Sequence, residues 1–376
     1  MKEWIWQQVE WNTFNWPEFS WSDAMILPKT WLIHQKIGLL LGQTSHDPQQ
    51  AQQSLDTLLA NLVASSAIEN ETLNVYSLRS SLARRLGVTL EQPYASSDRS
   101  EGLANIMLDA LNNVQQPLTL SRLLQWHQWL FNEPDWTTQR MRIGSLRGKE
   151  PMQVVSGRID RPIIHFEAPP RHGLEAQLDA FIDWFNVSRD DSLLDPLVRA
   201  GIVHFWFVTL HPFDDGNGRI TRTLTDLALA QMDSQSIRLY AMSPAILQKR
   251  KSYYDILEQS QQGSLDISNW LVWFLDTLLE AVEQALQRVS LTIQKSRFWQ
   301  YFAQLELHEG QRKVLNRLLD GGENGFAHGI SASQYQKVAK VSKATATRHL
   351  TDLVEKGCLI KLAGGGRNTR YQVNQF

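Results

Sequence analysis

The sequence predicts a mainly α-helical body carrying one β-hairpin, followed by a small separate C-terminal module. Three observations carry that expectation. Apolar residues recur at helical spacing along most of the chain. One pair of β-type runs interrupts the pattern before the C-terminus. Residues 301–376 hold 11 Lys and Arg against 6 Asp and Glu, or +5, whereas residues 1–300 hold 26 against 33, or −7. That reversal marks a basic module on an acidic body and points to an anionic partner for it.

The bulk properties set the frame. A chain of 376 residues is long enough for two or three domains. Hydrophobic residues at 43% and charged residues at 20% are an ordinary globular balance, and 14 Trp supply large aromatic packing surfaces. The net charge of −2 gives no chain-wide sign of a nucleic-acid or membrane partner. The single cysteine, Cys358, permits no intrachain disulfide, which fits a reducing compartment. The opening Met1-Lys2-Glu3-Trp4 has no secretory pattern and no run is long enough to span a bilayer, so the expectation is a soluble, cytoplasmic chain without a membrane partner.

Leu55, Leu58, Leu59 and Leu62 mark one apolar helix face, and Leu174, Leu178, Phe181, Ile182 and Phe185 mark another. Asp195-Pro196 reads as an N-cap with proline at the first helical position. The following helix, 197–210, is apolar nearly all round and is expected in the middle of a bundle. Leu224, Leu227 and Leu229 define its successor, and a longer helix is expected from near Asp266 past Leu279. The hairpin is placed at 152–155 and 163–166, with Ser156-Gly157 after the first run and Pro169-Pro170 closing the second.

The C-terminal module reads as helix 311–319, a Gly-rich loop 321–329, a short helix near 333–339 and a longer one from Ser342 to about Glu355. Lys356-Gly357 ends that helix. A hairpin of 360–362 and 370–373 follows around Gly364-Gly365-Gly366. This is the order of a winged helix-turn-helix. Residues 341–350 have the small, polar and basic mix of a recognition helix, with Arg367 and Arg370 on the wing, so DNA is an expected partner through residues 331–371. Packing on the body or binding protein is the alternative.

The most informative run is His211-Pro212-Phe213-Asp214-Asp215-Gly216-Asn217-Gly218-Arg219-Ile220-Thr221-Arg222, between the buried helix and the next one. Glycines on both sides of Asn217 allow a tight turn with exposed N–H groups, and a helix N-terminus then attracts anions. Arg219 and Arg222, three apart, share a face of the first turn and complete a polyphosphate cradle. Asp215 offers a hard oxygen ligand for Mg²⁺, and His211 can take a proton near neutral pH. The run is not a P-loop. The nearest such stretch, residues 144–150, is one residue short and ends in Glu150.

Position by position the run resembles the signature His-x-Phe-x-Asp/Glu-Gly-Asn-Gly-Arg-x-x-Arg of the Fic family. That resemblance implies a helical bundle with a β-hairpin flap over the site, and transfer of AMP from ATP to a hydroxyl of a target protein or of the chain itself. It implies His211 as the general base, Phe213 as the loop's core anchor and Asp215 as the Mg²⁺ ligand. Gly216, Asn217 and Gly218 would form the anion hole, Arg219 would hold the β-phosphate side and Arg222 the γ-phosphate. Tyr253 and Tyr254, on a later helix, sit where family members hold adenine, with the core as the equal alternative. His204, on the same helical face as His211, is expected in the core.

Upstream, Ser65-Ser66-Ala67-Ile68-Glu69-Asn70 resembles the inhibitory signature Ser/Thr-x-x-x-Glu-Gly/Asn of self-restrained Fic proteins, so Ser65 and Glu69 are implied inhibitory residues, with Glu69 on Arg222. The Trp-rich opening and residues 71–87 resemble the N-terminal region common in bacterial members. The expected division is 1–95 for an N-terminal region with the inhibitory motif, 96–295 for the catalytic core and 300–376 for the winged helix, and a homodimer is admitted. The alternatives are a nucleotide-sensing DNA-binding regulator, and an enzyme that removes AMP with Glu69 positioning a water.

Overall fold

The computed structural model describes residues 3–7, 17–44, 50–132, 141–158, 161–232, 239–321, 326, 328–363 and 369–374. The chain divides into two compact units, Met1–Ala285 and Leu286–Phe376.

The first unit is helical. Its elements are α1 (Asp23–Thr44), α2 (Gln50–Ile68), α3 (Val75–Leu86), α4 (Asp98–Asn112), α5 (Leu120–Leu130), α6 (Leu174–Val187), α7 (Pro196–Leu210), α8 (Asn217–Met232), α9 (Met242–Gln248) and α10 (Arg250–Gln261). One hairpin, β1 (Gln153–Arg158) and β2 (Arg161–Glu167), lies between α5 and α6. The long helix α11 (Ser268–Tyr301) begins in this unit and ends in the second. Among the described residues no helix is long and apolar enough to cross a membrane.

The start of α7 is set as its sequence demands. The Asp195 carboxylate accepts from the Leu197 N–H at 2.8 Å, and Pro196 occupies the first turn, where an N–H would have no partner. Every residue of α7 from Leu197 to Leu210 is buried, as an all-round apolar helix must be. It packs against α8 and α6. Trp270 of α11 donates its indole N–H to the Gly201 carbonyl at 2.9 Å, across a face where a larger residue would meet Leu271.

The end of α2 has a specific form. The Asn70 N–H bonds the Ala67 carbonyl and the Glu71 N–H bonds the Ser66 carbonyl, both at 3.0 Å, with Asn70 left-handed at φ 61°. This is a Schellman termination with Glu69 as C-cap, Asn70 at C′ and Glu71 at C″, and Asn tolerates the αL position.

One expectation needs correction. Ser156-Gly157 is not the hairpin turn, because both residues pair within the ladder, Ser156 with Ile163 and Gly157 with Pro162. A Ser-Gly pair carries a turn signal by composition alone, yet the strands run on to Arg158 and Arg161, with a bulge between Val154 and Val155. The long helix begins near Asp266 as expected, at Ser268, with Asp266 just outside it accepting from the Ser268 N–H at 2.8 Å.

The second unit comprises the end of α11, α12 (Glu309–Leu319), β3 (Ile330–Ser331), α13 (Ala332–Ala339), α14 (Lys343–Glu355), β4 (Leu359–Lys361) and β5 (Arg370–Val373). The strands form an antiparallel sheet of order β3-β5-β4. Strand β3 was not legible, since two residues cannot show alternation. Val314, Leu315, Ile330, Tyr335, Leu350, Leu353 and Cys358 form the core of this unit. Ser342 caps α14 by accepting from the Thr345 N–H, and Gly357 follows in the αL region at φ 74°. Gly364-Gly365-Gly366 and Arg367 lie outside the described residues.

Two glycines of the first unit should respond in opposite directions. A Cβ on Gly102 of α4 would overlap the backbone carbonyl of Trp129, which cannot rotate away, whereas one on Gly38 of α1 would meet nothing within 4 Å. Gly102→Ala is expected to destabilise by about 1–3 kcal/mol. Gly38→Ala should stabilise by about 0.5–1 kcal/mol through the lower entropy of the unfolded chain. Urea unfolding followed by tryptophan fluorescence measures both signs.

Candidate functional site

The loop between α7 and α8 is built around one buried anchor and one exposed carboxylate. Phe213 is fully buried, stacked on the His127 ring with centroids 4.3 Å apart. Asn217 closes the loop from its other end, accepting from the Phe213 N–H at 2.9 Å and donating to the Phe213 carbonyl at 2.8 Å. Its side chain is therefore committed to the loop, and only its backbone N–H remains for an anion. Gly216, at φ 81°, makes the turn, and a Cβ there would meet Leu130 and Phe131. Its N–H is held by Asp215 Oδ1 at 2.6 Å. The N–H groups of Asn217, Gly218 and Arg219 then form the open first turn of α8, whose ladder begins with Ile220 on the Gly216 carbonyl.

His211 ends α7 in the left-handed region at φ 50°. Its Nδ1 lies 3.1 Å from the Val208 carbonyl, which can only accept, so Nδ1 carries the proton and Nε2 holds the free lone pair. Burial pushes its pKa down to about 4; the Val208 bond and the Glu69 and Asp215 charges oppose this, and the Arg147 charge adds to it. His211 is thus a neutral acceptor well below neutrality. Asp215 is the exposed member, its side chain 63% accessible and its Oδ2 3.6 Å from Arg219 Nη2.

Both arginines are engaged. Arg222, 3% exposed, donates from Nε to Ser65 Oγ, from Nη2 to the Ser65 carbonyl and from Nη2 to Glu69 Oε1, each at 2.8 Å. Burial would raise the Glu69 pKa, but the charge and hydrogen bond of Arg222 outweigh it and hold the carboxyl below the usual range. Burial would likewise lower Arg222, and Glu69 keeps it above its ordinary value. Arg219 Nη1 holds both oxygens of Glu71, at 2.7 and 2.6 Å, with its guanidinium over the Phe131 ring. Among the described residues, Arg222 Nη1 and Arg219 Nε are buried without a hydrogen-bond partner.

The two tyrosines separate. Tyr254 reaches the site, its hydroxyl donating to the Ile68 carbonyl at 3.2 Å and to Glu69 Oε2 at 3.4 Å. Tyr253 lies in the core beside it, close enough for its phenol to feel the Arg222 and Glu69 charges. It is 1% exposed, packed against Trp270 and Trp273, with its hydroxyl 2.9 Å from His204 Nε2. This burial matches the core alternative that stood beside the adenine expectation, and His204 is the core residue expected. Its Nδ1 lies 2.9 Å from Thr225 Oγ1, and burial pushes its pKa down to about 3.

Several residues that shape the site carried no recognised signal in the sequence. His127 accepts from the Gly144 N–H at Nδ1, at 2.9 Å, so its proton sits on Nε2, 3.2 Å from the Asp215 carbonyl. Arg147 donates to the carbonyls of His211, at 2.8 Å, and Pro169, at 2.6 Å, and its N–H bonds the Pro212 carbonyl. Asn61 donates to Asp226 Oδ2 at 2.6 Å. Their partners are backbone atoms or residues far along the chain, which one-dimensional spacing does not reveal. Beside the loop the hairpin presents exposed Val155, Ile163 and Ile164. It is pinned at its base by Trp6 on the Glu167 carbonyl and by His165 on Glu258, at 2.9 and 2.7 Å.

Comparison with known proteins agrees with this geometry. Residues 117–229 match the Fic/DOC family, and residues 4–88 match a domain of unknown function, DUF4172. The fold resembles that of a Fic family protein from Desulfovibrio desulfuricans, with TM-score 0.55 at 19% identity over 95% of this chain and 98% of the other. It also resembles a Fic domain containing signaling protein from Bacteroides thetaiotaomicron, with TM-score 0.52 at 19% identity over 69% and 95%. The Fic/DOC match thus lies within a mainly helical chain whose fold resembles those of Fic-family structures. Among curated proteins, the protein adenylyltransferase Fic of Nematostella vectensis is 35% identical over 26% of this chain and 21% of its own length. That of Drosophila virilis is 25% identical over 66% and 48%. The chain thus spans less than half the length of these two relatives.

The neutral histidines set an acid limit. Folded-state pKa values of about 4, 3 and 4 for His127, His204 and His211 lie below the ordinary value near 6.5. Their stability contribution is full above pH ~6.5 and is lost as pH falls toward those values. The urea midpoint should be flat above about pH 7 and fall steeply between pH 6 and 4, and His127→Phe should flatten that slope. Denaturation at several pH values, with imidazole titration by NMR, tests it.

Proposed function

We propose that this chain is a protein adenylyltransferase restrained by Glu69: it transfers AMP from ATP to a hydroxyl of a Ser, Thr or Tyr on a target protein or on itself. The observation that supports this best is the Glu69–Arg222 contact at 2.8 Å beside the open first turn of α8. A carboxylate sits on the arginine that a terminal phosphate would use, and both arginines keep a buried donor that an anion would satisfy.

The residues have distinct tasks in this reading. His211 Nε2 takes the hydroxyl proton, the freed oxygen attacks the α-phosphorus, a new P–O bond forms, and the bond to pyrophosphate breaks in line. Arg219, Arg222 and the first-turn N–H groups hold the polyphosphate. Arg147 and His127 keep the loop carbonyls in place, and the Val208 carbonyl holds the His211 ring. Asp215 suits a Mg²⁺ shared with phosphate oxygens, since one exposed carboxylate plus phosphates is a donor set that this ion takes. Among the described residues no three His, Cys, Asp or Glu side chains converge on one point, so protein ligands alone would not hold it. When bound, the ion would neutralise charge on the departing pyrophosphate.

The test is AMP incorporation from α-labelled ATP. The wild type should modify itself weakly and Glu69→Gly at least about tenfold faster, a change of ~1.4 kcal/mol in the barrier. His211→Ala and Arg222→Ala in the glycine background should lose the signal, and EDTA should suppress it. Full transfer by the His211→Ala protein would overturn the assignment. Loss of an AMP-releasing activity on Glu69→Gly would instead make Glu69 a residue of removal.

For the second unit we propose a winged helix-turn-helix that binds DNA. The support is the element order and the exposed Lys343, Thr347, Arg348 and Thr351 on one side of α14. Binding to duplex fragments should weaken steeply with salt, and Lys343→Ala with Arg348→Ala should abolish it. No shift of any genomic fragment at low salt would end that reading.

A further inference from the structure

The turn that delivers Glu69 to Arg222 also delivers a second carboxylate to the other arginine. Glu71 lies at C″ of the Schellman termination, and its backbone N–H is fixed on the Ser66 carbonyl at 3.0 Å. Both of its oxygens accept from Arg219 Nη1, and Arg99 Nη2 of α4 holds Oε2 from the other side at 2.7 Å. Arg219 is 5% exposed and Glu71 25% exposed at the side chain. Two carboxylates on one rigid turn thus meet two guanidiniums on one helical turn.

We propose that Glu71 is a second inhibitory carboxylate, and that the segment 69–71 is a two-pronged plug of the phosphate cradle. This rests on the adenylyltransferase reading of the site. The physical reason is charge. With Glu69 alone removed, Arg219 Nη1 still holds both oxygens of Glu71. A polyphosphate must then still displace Glu71 from Arg219. Arg99 makes that displacement feasible, because it remains a cationic partner for Glu71 after Arg219 turns to phosphate. The C′ residue links the prongs: Asn70 at φ 61° sets the angle between Glu69 and Glu71, so both are presented together.

The experiment measures ATP binding with Mg²⁺ by calorimetry in full-length wild type, Glu71→Gln, Glu69→Gly and the double variant, with thermal melts as the fold control. Glu71→Gln keeps the shape and removes the charge. It should tighten ATP several-fold in both backgrounds, and the double variant should transfer AMP faster than Glu69→Gly. If Glu71→Gln melts early, Glu71→Asp keeps the charge beside Arg99 but withdraws it from Arg219, and a smaller tightening is expected. Unchanged or weaker ATP binding in the Glu69→Gly background would overturn the proposal, the latter making Glu71 a support for Arg219. Failure of the parent reading looks different: Glu69→Gly would then transfer no AMP, while the effect of Glu71 on ATP affinity stayed measurable.

Discussion

The site depends on a polar seam between α2 and α8. Three rungs, each four residues from the next on both helices, run along it: Asn61 with Asp226, Ser65 with Arg222, and Glu69 beside Gly218 and Arg222. Residues four apart share a helix face, so one antiparallel pairing aligns all three. The arrangement brings the C-terminal end of α2 to the N-terminal turn of α8, negative helix end to positive. Gly218 completes it, because a Cβ there would collide with the Glu69 carboxylate. In the proposed reading, the place for phosphate would be filled by a carboxylate and a helix C-terminus together.

This seam also explains why the loop has so many backbone constraints. A transfer site needs His211 neutral, with its lone pair on Nε2, and needs first-turn N–H groups left open. Val208 fixes the tautomer and burial fixes the charge state. Arg147 gathers carbonyls from His211 and Pro169, and His127 holds the Asp215 carbonyl. The loop is rigid before any ligand arrives, which is the condition for electrostatic stabilisation without reorganisation.

Much of this was legible in the sequence for local reasons. The motif of residues 211–222 is contiguous, so its spacing alone placed a base, a turn and two arginines on one corner. Ser65 and Glu69 were singled out through the resemblance of residues 65–70 to an inhibitory signature, and their spacing of four places them on one helix face. Glu71 was not: it lies past the helix end, where its direction depends on the αL residue Asn70 and on a hydrogen bond to Ser66. Tyr253 and Tyr254 were left open between pocket and core. Adjacent tyrosines on a helix point about 100° apart, and here Tyr253 packs against Trp270 and Trp273 while Tyr254 reaches Glu69.

If Glu69 restrains the site as proposed, the chemistry of the seam suits a reversible restraint better than a permanent one. Arg222 has five donors and the seam uses three contacts, two of them to Ser65, whose hydroxyl and carbonyl hold the guanidinium against α2 independently of Glu69. Those two contacts would remain to orient Arg222 if Glu69 were removed. Glu69 is 31% exposed at the side chain, so its departure does not strand a fully buried anion, and the exposed partner of the pair is the one free to leave. A phosphate offers the same charge-assisted geometry to Arg222 as the carboxylate does. In the proposed reading the exchange would trade one anion for another on a preformed cation, with its balance set by the turn that holds Glu69 in place.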